Sequence, residues 1–131
     1  MPADDVKLWL EKADEDERTV AILKAAGGPW SVAAYHVQQA AEKHIKAALV
    51  AAGIAPPKTH DLQQLVSLYP GAPASPAVET AAAMTSAYAW LTRYPGASAL
   101  DETHVVQAER HLAELKGWSK AVIRSSTVTD P

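Results

Sequence analysis

Apolar residues recur every three to four positions along most of the chain, with polar residues between them. This rhythm is broken at clusters of glycine and proline: Gly27-Gly28-Pro29, the stretch from Gly53 to Pro57, that from Pro70 to Pro76, and Tyr94-Pro95-Gly96. The intervening segments are rich in Ala, Leu, Glu, Lys and Gln, which form helices readily. Nowhere do β-branched residues alternate with polar ones over the length of a strand, so the pattern predicts an all-α domain.

The first predicted helix runs from about Asp4 to Ala26. Val6, Trp9, Leu10, Ala13, Val20 and Leu23 fall at helical spacing, and Asp4 and Asp5 suit its positive N-terminal end. The second starts after Pro29, with Ser31 near the cap, and reaches about Ala52, where Gly53 suits the closing position. A turn of about 100° per residue puts Tyr35, Gln39, Glu42, Lys43 and Lys46 on one of its faces. Val37, Ala40, Ala41, His44, Ala48 and Ala51 occupy the opposite face, where small side chains permit close helix approach. A short third helix spans about Asp61 to Leu68, with Leu62, Leu65, Val66 and Leu68 as its apolar stripe. Ser75-Pro76 reads as an N-cap followed by proline at the first helical position, opening a fourth helix to about Thr92. The last runs from roughly Leu100 to Ile123, with Val105, Ala108, Leu112, Leu115 and Val122 inward. Residues 1–124 make a single domain, 125–131 a flexible polar tail. Four long helices, one short helix and brief connections predict an up-and-down four-helix bundle with an additional short helix.

Composition narrows the chemistry. The chain of 131 residues has no cysteine, which excludes disulfides, thiolate zinc sites and cysteine nucleophiles. Alanine makes up about a fifth of it, and Trp9, Trp30, Trp90 and Trp118 are the large anchors spread along the bundle. The net charge of −3 weighs against a broad nucleic-acid-binding coat, so any such site must be a local pocket. Asp4, Asp5 and Lys7 interrupt any leader-like opening, and no uncharged run approaches the ~20 apolar residues that span a bilayer. A cytoplasmic chain without membrane contact is the expectation.

Motifs are sparse. One loose Asp101-x-x-His104 stands where a di-iron bundle needs two Glu-x-x-His pairs. His36, His44 and His104 are three imidazoles a bundle can bring to a metal, but a core-facing His44 with the other two capping or facing solvent fits better, and no metal is assigned. Phosphate-loop and nucleophile-elbow motifs are absent. Gln38, Gln39, Glu42, Lys43 and Lys46 form a dense strip on the second helix. It is either a solvated face stabilised by its own i,i+4 pairs or a strip packed on the first helix or a second subunit, with Tyr35 and His36 at one end. Lys58-Thr59-His60-Asp61 reads as a helix start, with Thr59 or Asp61 accepting from free N–H groups and His60 orienting the turn. Arg93, at a helix end beside Tyr94, either satisfies terminal carbonyls or holds a phosphate next to a stacked base.

Together these residues resemble the HEPN family, small helical domains of prokaryotes and higher eukaryotes that associate with nucleotides and RNA. Trp9, Ala13 and Asp16 carry the resemblance on the first helix, and Tyr35-His36-x-Gln38-Gln39-Ala40-Ala41-Glu42-Lys43-x-x-Lys46-Ala47 on the second. Gly53-x-x-Pro56-Pro57-x-Thr59-His60-Asp61-Leu62-x-x-Leu65 and Arg93-Tyr94-Pro95-Gly96 complete it, over roughly residues 5–123. The resemblance implies a helical bundle, usually homodimeric, often encoded beside a minimal nucleotidyltransferase as a toxin–antitoxin or nucleotide-modifying pair. Many HEPN proteins are metal-independent ribonucleases that use Arg, four to six residues, then His. Here the motif is missing: Arg18, Arg110 and Arg124 have no His at that spacing, and ten residues separate Arg93 from His104. The Arg-Tyr-Pro arrangement looks more like the family's non-catalytic binding branch.

The expectation is a homodimer that binds a nucleotide or RNA phosphate and pairs with a separate nucleotidyltransferase chain, without cofactor. Arg93 and Tyr94 are its phosphate and base contacts, with His104 and Lys43 as neighbours. A ribonuclease toxin using Arg93 and His104, and a purely protein-binding module, are the alternatives.

Overall fold

The computed structural model describes residues 2–95 and 99–127, and within them every regular element is a helix. In chain order these are α1 (Pro2–Ala26), α2 (Trp30–Ala51), α3 (Leu62–Ser67), α4 (Pro76–Ser86), α5 (Tyr88–Leu91) and α6 (Glu102–Thr127). Trp9 on α1 lies near Lys46 late in α2, and Asp16 reaches both His36 and Lys43, so the two helices run antiparallel. Ion pairs Lys24–Glu109 and Glu17–Lys116 set α6 antiparallel to α1. The long elements therefore alternate up and down, with α3 lying between α2 and α4.

Glycine ends both of the first two helices by the same device. Gly27 and Gly53 sit at φ 82° and 84°. After α1, the Gly28 N–H donates to Leu23 O and the Gly27 N–H to Lys24 O; after α2, Ile54 donates to Leu49 O and Gly53 to Val50 O. Each pair of hydrogen bonds satisfies carbonyls the helix leaves open. Ser75 caps α4 by accepting from the Val78 N–H, with Pro76 behind it, and Asp61 caps α3 by accepting from Gln64.

The core gathers on α2. Ala33, Ala34, Ala40, Ala41, Ala47 and Ala48 are fully buried there, so neighbouring helices approach its backbone closely, and Ile45 and Leu49 fill the gaps. Leu62, Leu65 and Val66 anchor α3 to it, and Val105, Ala108, Leu112, Leu115 and Val122 of α6 all point inward as their spacing predicts.

Four details differ from the sequence pattern. Ser31 is not the cap of α2: Pro29 occupies that position, its carbonyl accepting from Ala33, because the chain reverses so tightly that the helix starts at Trp30. The helix expected to run from Pro76 to Thr92 divides at Ala87 into α4 and α5. Ala87 keeps helical angles, so the change is a local shift toward i+3 bonding, with Trp90 N–H to Ala87 O, that no residue type announces. Trp90 is not a core anchor; it is 56% exposed, unlike Trp30 and Trp118, which pack against the core. Finally, α6 continues through Ser125 and Ser126, whose hydroxyls donate back to Val122 O. The remaining tail, 128–131, and Gly96 lie outside the described residues.

An added Cβ at Gly53 meets nothing within 4 Å, so Gly53→Ala is penalised only through its backbone angle. We expect a loss of about 1 kcal/mol in unfolding free energy, read as a lowered urea midpoint at unchanged slope.

Candidate functional site

Of the two readings of the strip on α2, the packed one fits: Asp16 and Trp9 of α1 meet Lys43 and Lys46, and His60 of the connection before α3 meets Glu42. Gln38, Glu42 and Lys46 are all less than a tenth exposed. Ionised groups removed from water must find partners, and here they follow a repeated arrangement in which a carboxylate lies between one histidine and one lysine. Asp16, itself buried, accepts from His36 Nδ1 (2.8 Å) and Lys43 Nζ (2.5 Å), seven residues apart on one face of α2. Glu17 pairs with His44 Nε2 of α2 and Lys116 of α6, both at 2.8 Å. Glu42 receives Lys46 Nζ at 3.0 Å, His60 Nδ1 at 2.7 Å and the Gln38 amide at 3.2 Å. Lys46 also lies 5.5 Å from the centre of the Trp9 ring.

Two of these arrangements join helices to one another. The third differs, because its histidine faces outward. His60 is on the connection before α3 and its side chain is 55% exposed, although the Glu42 carboxylate it touches is buried. A carboxylate only accepts, so His60 Nδ1 must donate, which leaves Nε2 turned away from Glu42. The connection is fixed by the Leu62 N–H, which donates to Ser86 Oγ of α4 at 2.7 Å. His60 thereby lines a cleft of about 510 Å³ with Asp61, Gln63, Ser86, Trp90 and Arg93. Arg93 follows the α5 cap at Thr92 and is exposed, and its guanidinium has no ion pair among the described residues. A cation with no carboxylate partner among the described residues, an imidazole held by one and an exposed indole thus share one concavity. Larger grooves exist, one of about 640 Å³ against Leu8, Trp9, Val50 and Ile54, but its lining is mainly apolar.

The structure disperses the other candidates. Tyr94 lies outside the cleft lining, yet its ring meets Trp90 edge-on with centroids 5.7 Å apart. His104 is occupied at the start of α6: its N–H donates to Asp101 Oδ1 and the Asp101 N–H donates to His104 Nδ1, a reciprocal cap. The hydrogen bond from the His104 backbone N–H holds the Asp101 carboxyl below its usual range. Lys43 is engaged by Asp16, on α1. His36, His44 and His104 each have a separate carboxylate partner, and among the described residues no three metal-ligating side chains converge. The spacing left His60 as a turn residue, since nothing local ties it to Glu42 eighteen positions earlier.

The model of the HEPN domain matches residues 6–122, from the first turns of α1 nearly to the end of α6. The chain belongs to the HEPN domain family. The HEPN fold here is similar to the crystal structure of an archaeal HEPN homologue, with a TM-score of 0.74 at 22% identity over 90% of this chain and 97% of that one. It is also similar to a protein from Thermus thermophilus, with a TM-score of 0.71 at 25% identity over 92% and 97%. No curated protein shows significant similarity to the chain. No helix among the described residues of this HEPN protein is long and apolar enough to cross a membrane.

Glu17 supplies a measurable consequence. The hydrogen bond from His44, then Lys116, holds its carboxyl at about 2 against a usual 4.5, although partial burial opposes this. A depressed folded-state value means the stabilisation is complete above the unfolded value and is lost as pH falls from about 4.5 toward about 2. After allowance for screening it amounts to about 1–2 kcal/mol. Urea midpoints measured across that window should fall more steeply for the native protein than for Glu17→Gln.

Proposed function

We propose that this HEPN-domain protein binds the phosphate of a nucleotide or RNA in the cleft between α3 and α5. The reading is carried by Arg93, a guanidinium without an ion pair among the described residues, in a concavity it shares with His60 and the exposed Trp90. Arginine presents a planar fork of donors that matches phosphate oxygens, and an exposed indole offers a face on which a base stacks. Tyr94, edge-on to Trp90, extends that aromatic surface. The small size of the cleft agrees with a chain whose net charge of −3 gives no general attraction for polyanions. Binding without turnover is the form of the function favoured here, because His104 is held in its own helix cap.

Family membership supports the remaining parts of the reading: a homodimer that partners a nucleotidyltransferase chain in a toxin–antitoxin or nucleotide-modifying system. Met84, Trp90, Leu91 and Tyr94 are exposed within eleven residues of sequence, and they favour a second reading in which this end of the bundle also carries a protein contact.

Calorimetric titration with the four ribonucleoside 5′-monophosphates tests the binding site. At least one should bind, and Arg93→Ala should weaken it by about tenfold or more, the usual scale for a charged hydrogen bond. Absence of binding, or undiminished affinity in the variant, overturns the assignment. Light scattering should return twice the 13.9 kDa chain mass; a monomer at micromolar concentration overturns the dimer.

A further inference from the structure

We infer that the cleft selects a terminal phosphate monoester over an internal phosphodiester, through His60 positioned by Glu42. The inference rests on the phosphate-binding reading of Arg93 and adds to it the class of phosphate recognised. Two observations carry it. Glu42 is only 5% exposed and its carboxylate is saturated by Lys46, Gln38 and His60, so it is a fixed anion whose contact dictates that His60 Nδ1 carries hydrogen. Nε2 is then the nitrogen available to a bound molecule, on a side chain that lines the same cleft as Arg93.

A bare Nε2 lone pair repels a phosphate oxygen, so a contact there needs one more proton. A phosphate monoester supplies the means, because its second ionisation lies near 6, close to that of an ordinary imidazole. Whichever partner brings the proton, it ends between Nε2 and a phosphate oxygen, and the complex is either imidazolium with dianion or imidazole with monoanion. A diester has no such ionisation near neutral pH. It stays a monoanion without a hydrogen to donate, and it engages His60 only when the imidazole is charged by itself. Arg93 contacts phosphate oxygens that both ligands possess; His60 is the group that meets the ionisable oxygen present in only one of them. The other charged groups about His60 fit this division. Asp61 lines the cleft, but its Oδ1 accepts from the Gln64 N–H, and Lys46 on α2 is paired with Glu42 behind the imidazole. Glu42 is a positioning residue, acting only through the ring it orients.

The test compares AMP with its phosphate methyl ester, which keeps base and ribose and differs in the ionisable oxygen. At pH 7 the protein should bind AMP at least about tenfold more tightly than the ester. His60 is exposed, so His60→Gln should fold normally and bring the two affinities to within about threefold, whereas Arg93→Ala should weaken both and keep their ratio. Equal affinities in the native protein, or a ratio unchanged in His60→Gln, overturn the selectivity while leaving phosphate binding intact. If another of the four ribonucleoside 5′-monophosphates binds more tightly than AMP, it and its methyl ester take the place of AMP in the comparison; if none of the four binds, the phosphate-binding reading itself fails. The positioning role has its own readout in imidazole ¹⁵N chemical shifts at pH 8. Free His60 should be in the Nδ1–H tautomer, and adding AMP should move the Nε2 shift away from that of a bare nitrogen, toward a hydrogen-bonded or protonated one; an Nε2–H tautomer in the free protein overturns the role of Glu42.

Discussion

The structure depends on how α2 is allowed to carry charge through the middle of the bundle. Its alanine face draws helices close, and on its opposite face Glu42 and Lys46 are also buried, Lys46 against Trp9 of α1 and Glu42 against His60 of the connection before α3. Burying ions is unfavourable unless each is paired and its remaining hydrogen-bonding capacity is met. The repeated placement of a carboxylate between a histidine and a lysine supplies the pairing at Asp16, Glu17 and Glu42, while His44 Nδ1 stays buried without a hydrogen-bond partner among the described residues. Because the partners lie on different elements, the arrangement also fixes register. Sliding α1 along α2 by one turn would strand Asp16 and Glu17 away from His36, Lys43 and His44. Apolar packing brings the helices together; the ion arrangements decide where each stops.

Much of this architecture was legible from residue pattern. Gly27, Gly53, Ser75-Pro76 and Asp61 announce where helices begin and end, since the backbone angles and unpaired groups at helix ends admit few residue types. The inward stripe of α6 follows from periodicity alone. The covered strip on α2 was not decidable in the same way. Helical spacing tells which residues share a face but not what lies against it, and a row of Gln, Glu and Lys looks alike whether water or a complementary helix covers it. Trp90 misleads for a related reason: an indole is apolar enough to pass for a core residue, and its exposure is set by the ending of α5.

The candidate site shows the same division more sharply. Arg93 was recognisable because it terminates a helix beside Tyr94, while His60 was hidden by a sound local explanation as part of a helix start. That explanation holds for its neighbours, since Asp61 caps α3 and the Thr59 hydroxyl accepts from the Asp61 N–H. It omits the ring itself, whose partner is on another helix. Membership in the HEPN family accounts for the scaffold, and the chemistry of the cleft comes from the side chains this chain places before α3 and after α5, backed by Glu42 in the middle of α2.

The brevity of α3 has a consequence for motion. Six residues cannot sustain a helix in water unaided, and α3 persists because Leu62, Leu65 and Val66 are buried and the Leu62 N–H is held by Ser86. His60 therefore stands at the edge of one of the least autonomous pieces of the fold, whereas Glu42 belongs to the most deeply packed helix. Local opening of α3 would separate the imidazole from its carboxylate while the long helices stayed assembled. A molecule gripping both His60 and Arg93 would oppose that opening, so occupancy of the cleft and order in the α2–α4 connection would rise and fall together.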